Sequence, residues 1–260
     1  MDLAVIQSWL IAWAFTAPRV LVTFALLPVL TEPLLPSTLR NGIILILSMF
    51  VLPLTHEQFL NIQPDVLSML GIMVKEGLLG MLLGFTLSVP FWAVKAAGFL
   101  IDMQRGVMSG LFFSQMTANM VSPLGNLFNM LLTTLLLVSG GFLVLLETLF
   151  LSYQTWPIDQ FFPSFTPKVA AFFLQQLDLL MYTSLLLAGP LLGIMFLIDI
   201  GTGLVGRFLP QLNAFLIAMP IKSGVTFFVL ALYIGFIATY LKDGFFSMGN
   251  NLKILDNLLR

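Results

Sequence analysis

The sequence predicts an all-α, membrane-associated protein built from helical hairpins with broken helices. Three observations lead there: 59% of the 260 residues are hydrophobic and 9% charged, apolar runs of about twenty residues recur along the chain, and proline or glycine interrupts several of them. A soluble domain carries about 25% charged residues. A chain of this composition in water would expose apolar patches large enough to drive association. Its surroundings are therefore lipid or other protein.

Spans of about 20 apolar residues are the unit of a helical membrane protein, and about six such segments can be marked. The first runs from Leu3 to Leu30 and contains Pro18 and Arg19. It lacks the positive start and small-residue cleavage site of a signal peptide, so it reads as a retained helix. A proline-rich turn follows at Pro28, Glu32, Pro33 and Pro36. The second segment, Asn41 to Leu54, is short for a span unless Thr38 to Arg40 belong to it. THEQFLNIQPD (55–65) is a polar loop.

Val66 to Leu100 is too long for one upright span, and Pro90 removes a backbone donor within it, which predicts a bent helix or a helical hairpin. Asp102 to Asn126 is polar and rich in glycine and methionine. Leu127 to Tyr153 is a strong span with Gly140 and Gly141 at its middle. TWPIDQFFPSFTPK (155–168) is a loop whose aromatic residues suit an interface. Val169 to Ile200 is a long helical stretch expected to break at Gly189–Pro190, and GTGLVGRFLPQLN (201–213) is expected to interrupt it further. Ala214 to Leu241 is the last span. An amphipathic helical tail, Lys242 to Arg260, follows.

Net charge is −1 and no basic stripe exists, which argues against nucleic acid as a partner. There is no cysteine, and the one histidine, His56, lies in a polar loop, so neither a thiolate metal site nor a Ser–His dyad can be assembled. No GxxxxGK[ST] loop is present. The sequence is thus read as a non-enzyme that needs no cofactor.

The informative residues are ionisable groups set among apolar neighbours: Arg19, Lys75, Glu76, Lys95, Asp102, Arg105, Glu147, Asp199, Arg207 and Lys222. At bilayer depth such groups are costly and face a partner, a cavity or water. Two solutions are open: they line a polar conduit, or they pair while buried among other subunits. Asp102 and Arg105, spaced i,i+3, can pair on a helix, either as a charged element at a conduit edge or as a local brace. Lys75 and Glu76 are adjacent and are expected to need separate partners. Glu147 and Asp199 read as solitary. Gly80 and Gly84 form a GxxxG, which favours close helix packing.

The segments KEGLLGMLLGF (75–85), FWAVKAAGFLIDMQRG (91–106) and GLVGRFLPQLNAFLIAMPIKS (203–223) resemble the FliR/SctT family of type III export-gate subunits. APRV (17–20), LPVL (27–30) and LRNGI (39–43) fit the same pattern. The loop YQTWPIDQFFPSF (153–165) is more similar to the injectisome branch than to the flagellar one. Lys95 departs from the pattern and inherits no role.

The resemblance implies a T subunit of the export apparatus in the bacterial inner membrane. It would form a channel for unfolded substrates with R and S subunits, and would also meet the U (switch) subunit. It implies an R-like part (1–168) followed by an S-like part (169–260). It further implies that Gly106 to Pro123 is a plug, with Gly106, Met108, Gly110, Phe112, Phe113, Met116, Met120 and Pro123 as its characteristic residues. Methionine and phenylalanine would give a soft seal. Glu76, Asp102, Arg105, Arg207, Gln211 and Lys222 are the charged or polar structural candidates, the last two with Arg207 holding a turn against S subunits. The competing reading is a secondary transporter, which should show internal repeats with matching broken helices; none is evident.

Overall fold

The computed structural model describes residues 3–29, 36–59, 66–107, 122–159, 167–209, 211 and 213–259. These residues form seven helices: α1 (Leu3–Leu26), α2 (Ser37–Phe59), α3 (Val66–Arg105), α4 (Pro123–Val138), α5 (Gly141–Thr155), α6 (Pro167–Phe208) and α7 (Ala214–Leu259). No strand occurs among the described residues. Five helices are long and apolar enough to cross a membrane, or six if the broken pair α4–α5 counts as one span. The all-helical class and the count of about six apolar segments are borne out.

The boundaries differ from expectation in an instructive way. α2 includes Thr38–Arg40 and continues to Phe59, taking in His56, which is therefore helical and not in a loop. Val66–Leu100 belongs to a single helix and not a hairpin, and that helix extends to Arg105. α6 runs through Gly189–Pro190 and on through Gly201, Gly203 and Gly206, and the tail 242–259 continues α7. In water such residues would end a helix. In apolar surroundings an unpaired backbone group has no water to turn to, so the chain keeps its helical bonds around an isolated proline. The break that does occur is at Gly140, whose φ of +79° is the left-handed conformation glycine adopts freely. The amides of Leu143 and Val144 both donate to the Gly140 carbonyl, restarting the helix.

The chain divides into two compact units. The first comprises 1–89, 139–176 and 245–260, and the second 90–138 and 177–244. In the first unit α1, α2, α5 and the leading part of α3 pack together. Gly80 and Gly84 explain how α1 and α3 approach: a methyl at Gly80 would lie 2.5 Å from the Arg19 carbonyl oxygen, and one at Gly84 3.0 Å from the Thr23 Cα. Thr23 uses this proximity, its hydroxyl donating to the Gly80 carbonyl at 3.1 Å. Gly77, outside the GxxxG pair, faces open space. In the second unit, Gly98 on α3 meets Gly125 on α4 so closely that a Cβ at Gly98 would sit 2.4 Å from the Gly125 nitrogen.

Candidate functional site: two buried charge networks

The first unit is centred on Arg19, wholly buried in α1. Its Nε donates to Glu76 Oε2 at 2.7 Å and its Nη2 to Glu76 Oε1 at 2.9 Å, a two-pronged pair that matches guanidinium to carboxylate. The remaining donors reach the Ser152 carbonyl at 2.8 Å and the Trp156 carbonyl at 2.9 Å. The guanidinium carbon stands 4.0 Å from the centre of the Tyr153 ring, and the Tyr153 hydroxyl donates to the Thr16 carbonyl. Arg19 therefore binds backbone carbonyls at the C-terminal end of α5, where a cation also suits the helix dipole, and shares the Ser152 carbonyl with the Trp156 amide.

Lys75 completes this network. Its ammonium donates to the carbonyls of Pro157 and Ile158 at 3.0 and 2.9 Å and lies 3.1 Å from Glu76 Oε1. The expectation that Lys75 and Glu76 need separate partners is thus corrected. Their Cβ atoms diverge, but the four-carbon lysine stem is long enough to bring its head back to a glutamate already held by Arg19. Gln58 on α2 donates to the Tyr153 carbonyl and accepts from the Ile158 amide. Side chains from α1, α2 and α3 together read the backbone of 152–158.

The second unit holds two linked pairs. Asp102 and Arg105 form an ion pair across one turn of α3, both buried. The other Asp102 oxygen accepts from the Ser122 hydroxyl at 2.6 Å and the Leu124 amide at 2.9 Å. Ser122 in turn accepts from the Gly125 amide at 2.9 Å, the bond of a helix N-cap, with Pro123 at the first helical position. Pro123 therefore opens α4. The Arg105 guanidinium also faces the Phe227 ring at 5.1 Å.

Lys222, buried in α7, pairs with Asp199 of α6 at 2.5 Å and donates to the Gln104 carbonyl at 3.0 Å. The Gln104 side-chain amide donates to the second Asp199 oxygen at 3.0 Å. Asp199, read as solitary, has two partners. Met103, Gln104, Arg105, Gly106, Asp199 and Lys222, together with Ala218 and Met219, line a cavity of about 340 Å³.

Of the ten ionisable residues singled out in the sequence, Arg19, Lys75, Glu76, Asp102, Arg105, Asp199 and Lys222 are thus paired inside the chain itself. Neither a conduit nor a neighbouring subunit is required to neutralise them. Lys95, Glu147 and Arg207 are exposed. Arg207 closes the last turn of α6, and Gln211 is exposed in the turn after it, whereas Lys222 is engaged with α3 and α6. Gly106 ends α3 with φ +82°, the left-handed conformation that favours glycine; a Cβ there would also meet the Met219 methyl at 2.9 Å, but that flexible side chain can yield. Met108, Gly110, Phe112, Phe113, Met116 and Met120 lie outside the described residues. Sequence reasoning missed Ser122 and Gln104. The Ser-Pro pair at 122–123 was the available signal for a helix start.

Long apolar helices whose internal charges are neutralised against one another define an integral membrane protein. Its class can be given more closely. The sequence profile of bacterial export proteins, family 1, matches residues 10–248. The chain is 38% identical over 229 residues to Yop proteins translocation protein T of Yersinia pestis, covering 88% of this chain and 87% of that one. It is 35% identical over 224 residues to secretion system apparatus protein SsaT of Salmonella typhimurium (84% and 85%). It is 27% identical over 229 residues to flagellar biosynthetic protein FliR of Bacillus subtilis (87% of each). The chain belongs to this family, the FliR/SctT family, and sits with its injectisome branch. None of these names carries a catalytic activity.

Proposed function

We propose that this export apparatus protein of type III secretion is a channel-forming subunit, assembling with R and S subunits, and with the U subunit beside them, in the bacterial inner membrane around a passage for unfolded protein substrates. The observation that carries the reading is the combination of family membership with helices that one bilayer cannot cover. α3, α6 and α7 have 40, 42 and 46 residues. At 1.5 Å per residue each contains about 60 Å of rise or more, against a hydrocarbon core about 30 Å thick. In the apolar spans of α6 and α7 only 22% of residues are buried by the chain itself, against 61% in α3. Partner helices are suited to cover what lipid does not reach. Residues 1–168 serve as an R-like part in this reading and 169–260 as an S-like part, with Arg207 and Gln211 at the turn meeting S subunits.

Within the channel, the segment from Gly106 to Pro123 acts as the plug. Its glycines, methionines and paired phenylalanines suit a compressible seal, and the residues that flank it are tied together, Ser122 and Leu124 both donating to Asp102. Replacing 108–121 with a Gly-Ser linker of equal length tests this role. The complex should still assemble, and ion flux through it at rest should rise. Unchanged flux in an assembled complex would contradict the plug.

A further inference from the structure

Lys95 stands apart from the buried cations of the apolar helices. Arg19, Lys75, Arg105 and Lys222 each hold a carboxylate. Lys95 forms no hydrogen bond or ion pair among the described residues. From Pro90 to Asp102, α3 is buried or half-buried at every position except Lys95, which is exposed. The chain therefore covers this part of α3 and leaves one opening, with a cation in it.

The chain has no acid to offer there. The helical neighbours of Lys95 at i±3 and i±4 are Phe91, Trp92, Gly98 and Phe99. Asp102, about two turns away, is taken by Arg105, Ser122 and Leu124. The helix packed here is α4, since a Cβ at Gly125 would lie 3.0 Å from the Lys95 carbonyl oxygen. That helix, Pro123–Val138, contains no charged residue. Snorkelling to a lipid headgroup is disfavoured as well. The Cα–Cβ bonds of a helix tilt toward its N-terminus, and on that side residues 77–94 are uncharged, a rise of about 27 Å. A lone ammonium in apolar surroundings is costly and faces a partner.

We propose that Lys95 is a docking contact for a carboxylate carried by a helix of a partner subunit. Trp92 and Phe99, half-buried and on the same face by spacing, flank it. Aromatic groups around an interfacial charge exclude water, and a desolvated pair fixes partner and register. This deepens the assembly reading above and rests on it. Because Lys95 bonds to nothing described in its own chain, changing it acts on assembly and leaves the chain's own charge networks intact.

The test uses the export complex co-purified with R and S subunits. A lipophilic carbodiimide joins an amine to a touching carboxylate as an amide, and mass spectrometry locates the bond. The parent should give an adduct between Lys95 and an acidic residue of another subunit. Lys95→Arg, which keeps the charge without the amine, should give no adduct and assemble better than Lys95→Met. Lys95→Glu should lower the yield of complex by at least about tenfold, because it sets two like charges together out of water. Parental yield from Lys95→Glu overturns the contact, as does the absence of an adduct or one that joins Lys95 to an acid of its own chain. A phospholipid held by the parent and lost from Lys95→Glu at unchanged subunit yield identifies a headgroup site and also overturns it. In all these cases a parental complex that forms leaves the assembly reading standing. A parent that does not co-purify with R and S overturns both.

Discussion

Arg19 shows what a buried cation requires in apolar surroundings. Its donors are divided between one carboxylate and the carbonyls closing α5, and its flat face rests on Tyr153. Lysine cannot reproduce this, because an ammonium offers no planar fork. Arg19→Ala should therefore destabilise the chain by about 3–5 kcal/mol, the scale for removing one partner of a buried pair. Lys75 tempers the loss by remaining beside Glu76. Arg19→Lys should lie between parent and alanine. Thermal stability of the detergent-solubilised complex checks both, and a parental midpoint in Arg19→Ala would remove the residue from the folding core. That Arg19 needs a partner is legible in the sequence, because a charge in an apolar run must have one. Which partner is not legible: Glu76 is 57 residues away, and only the packing of α1 on α3 brings it near. The neighbouring Lys75 shows the reverse error, since ideal helix geometry ignores how far a flexible side chain reaches.

Among elements, the close approaches are set by glycine. Gly80→Ala and Gly98→Ala would each place a methyl within 2.5 Å of backbone on the neighbouring helix, where no flexible side chain can yield. Each should cost about 1–3 kcal/mol, the range for overpacking. Gly77→Ala and Gly193→Ala face open space and should be neutral or slightly stabilising by helix propensity. Protein abundance in membranes and the melting midpoint would separate the two groups; equal effects at Gly77 and Gly80 would contradict the packing described. The GxxxG at Gly80 and Gly84 is readable from spacing alone. Gly98 is not, because its partner Gly125 lies beyond residues that carry no periodic signal. The helix boundaries are hidden from sequence for a related reason. Gly189–Pro190 and the glycines at 201–206 end helices in water, where freed backbone groups find solvent, but not where solvent is absent. Pro190→Ala should accordingly leave stability and secretion close to parental.

For the whole molecule, composition already dictates an apolar helical protein, and the motifs from 75 to 106 and 203 to 223 place it in its family. What composition could not reveal is that the chain neutralises its own buried charges. The need for partners therefore rests on apolar surface and helix length. Leu197, Ile200, Leu204 and Phe208 on α6, and Phe228 and Leu232 on α7, are exposed large apolar side chains. Exposed apolar surface of this kind is covered by lipid, detergent or another protein. If partner subunits cover it, binding stabilises the folded chain by mass action. Size-exclusion of the detergent-solubilised chain, expressed alone and then with the R and S subunits proposed as its partners, tests this most directly. The chain alone should aggregate or be degraded, and the co-expressed chain should elute as one stable hetero-oligomer. A well-behaved monomer that does not bind those partners, and that moves a small solute across liposomes, would contradict the account.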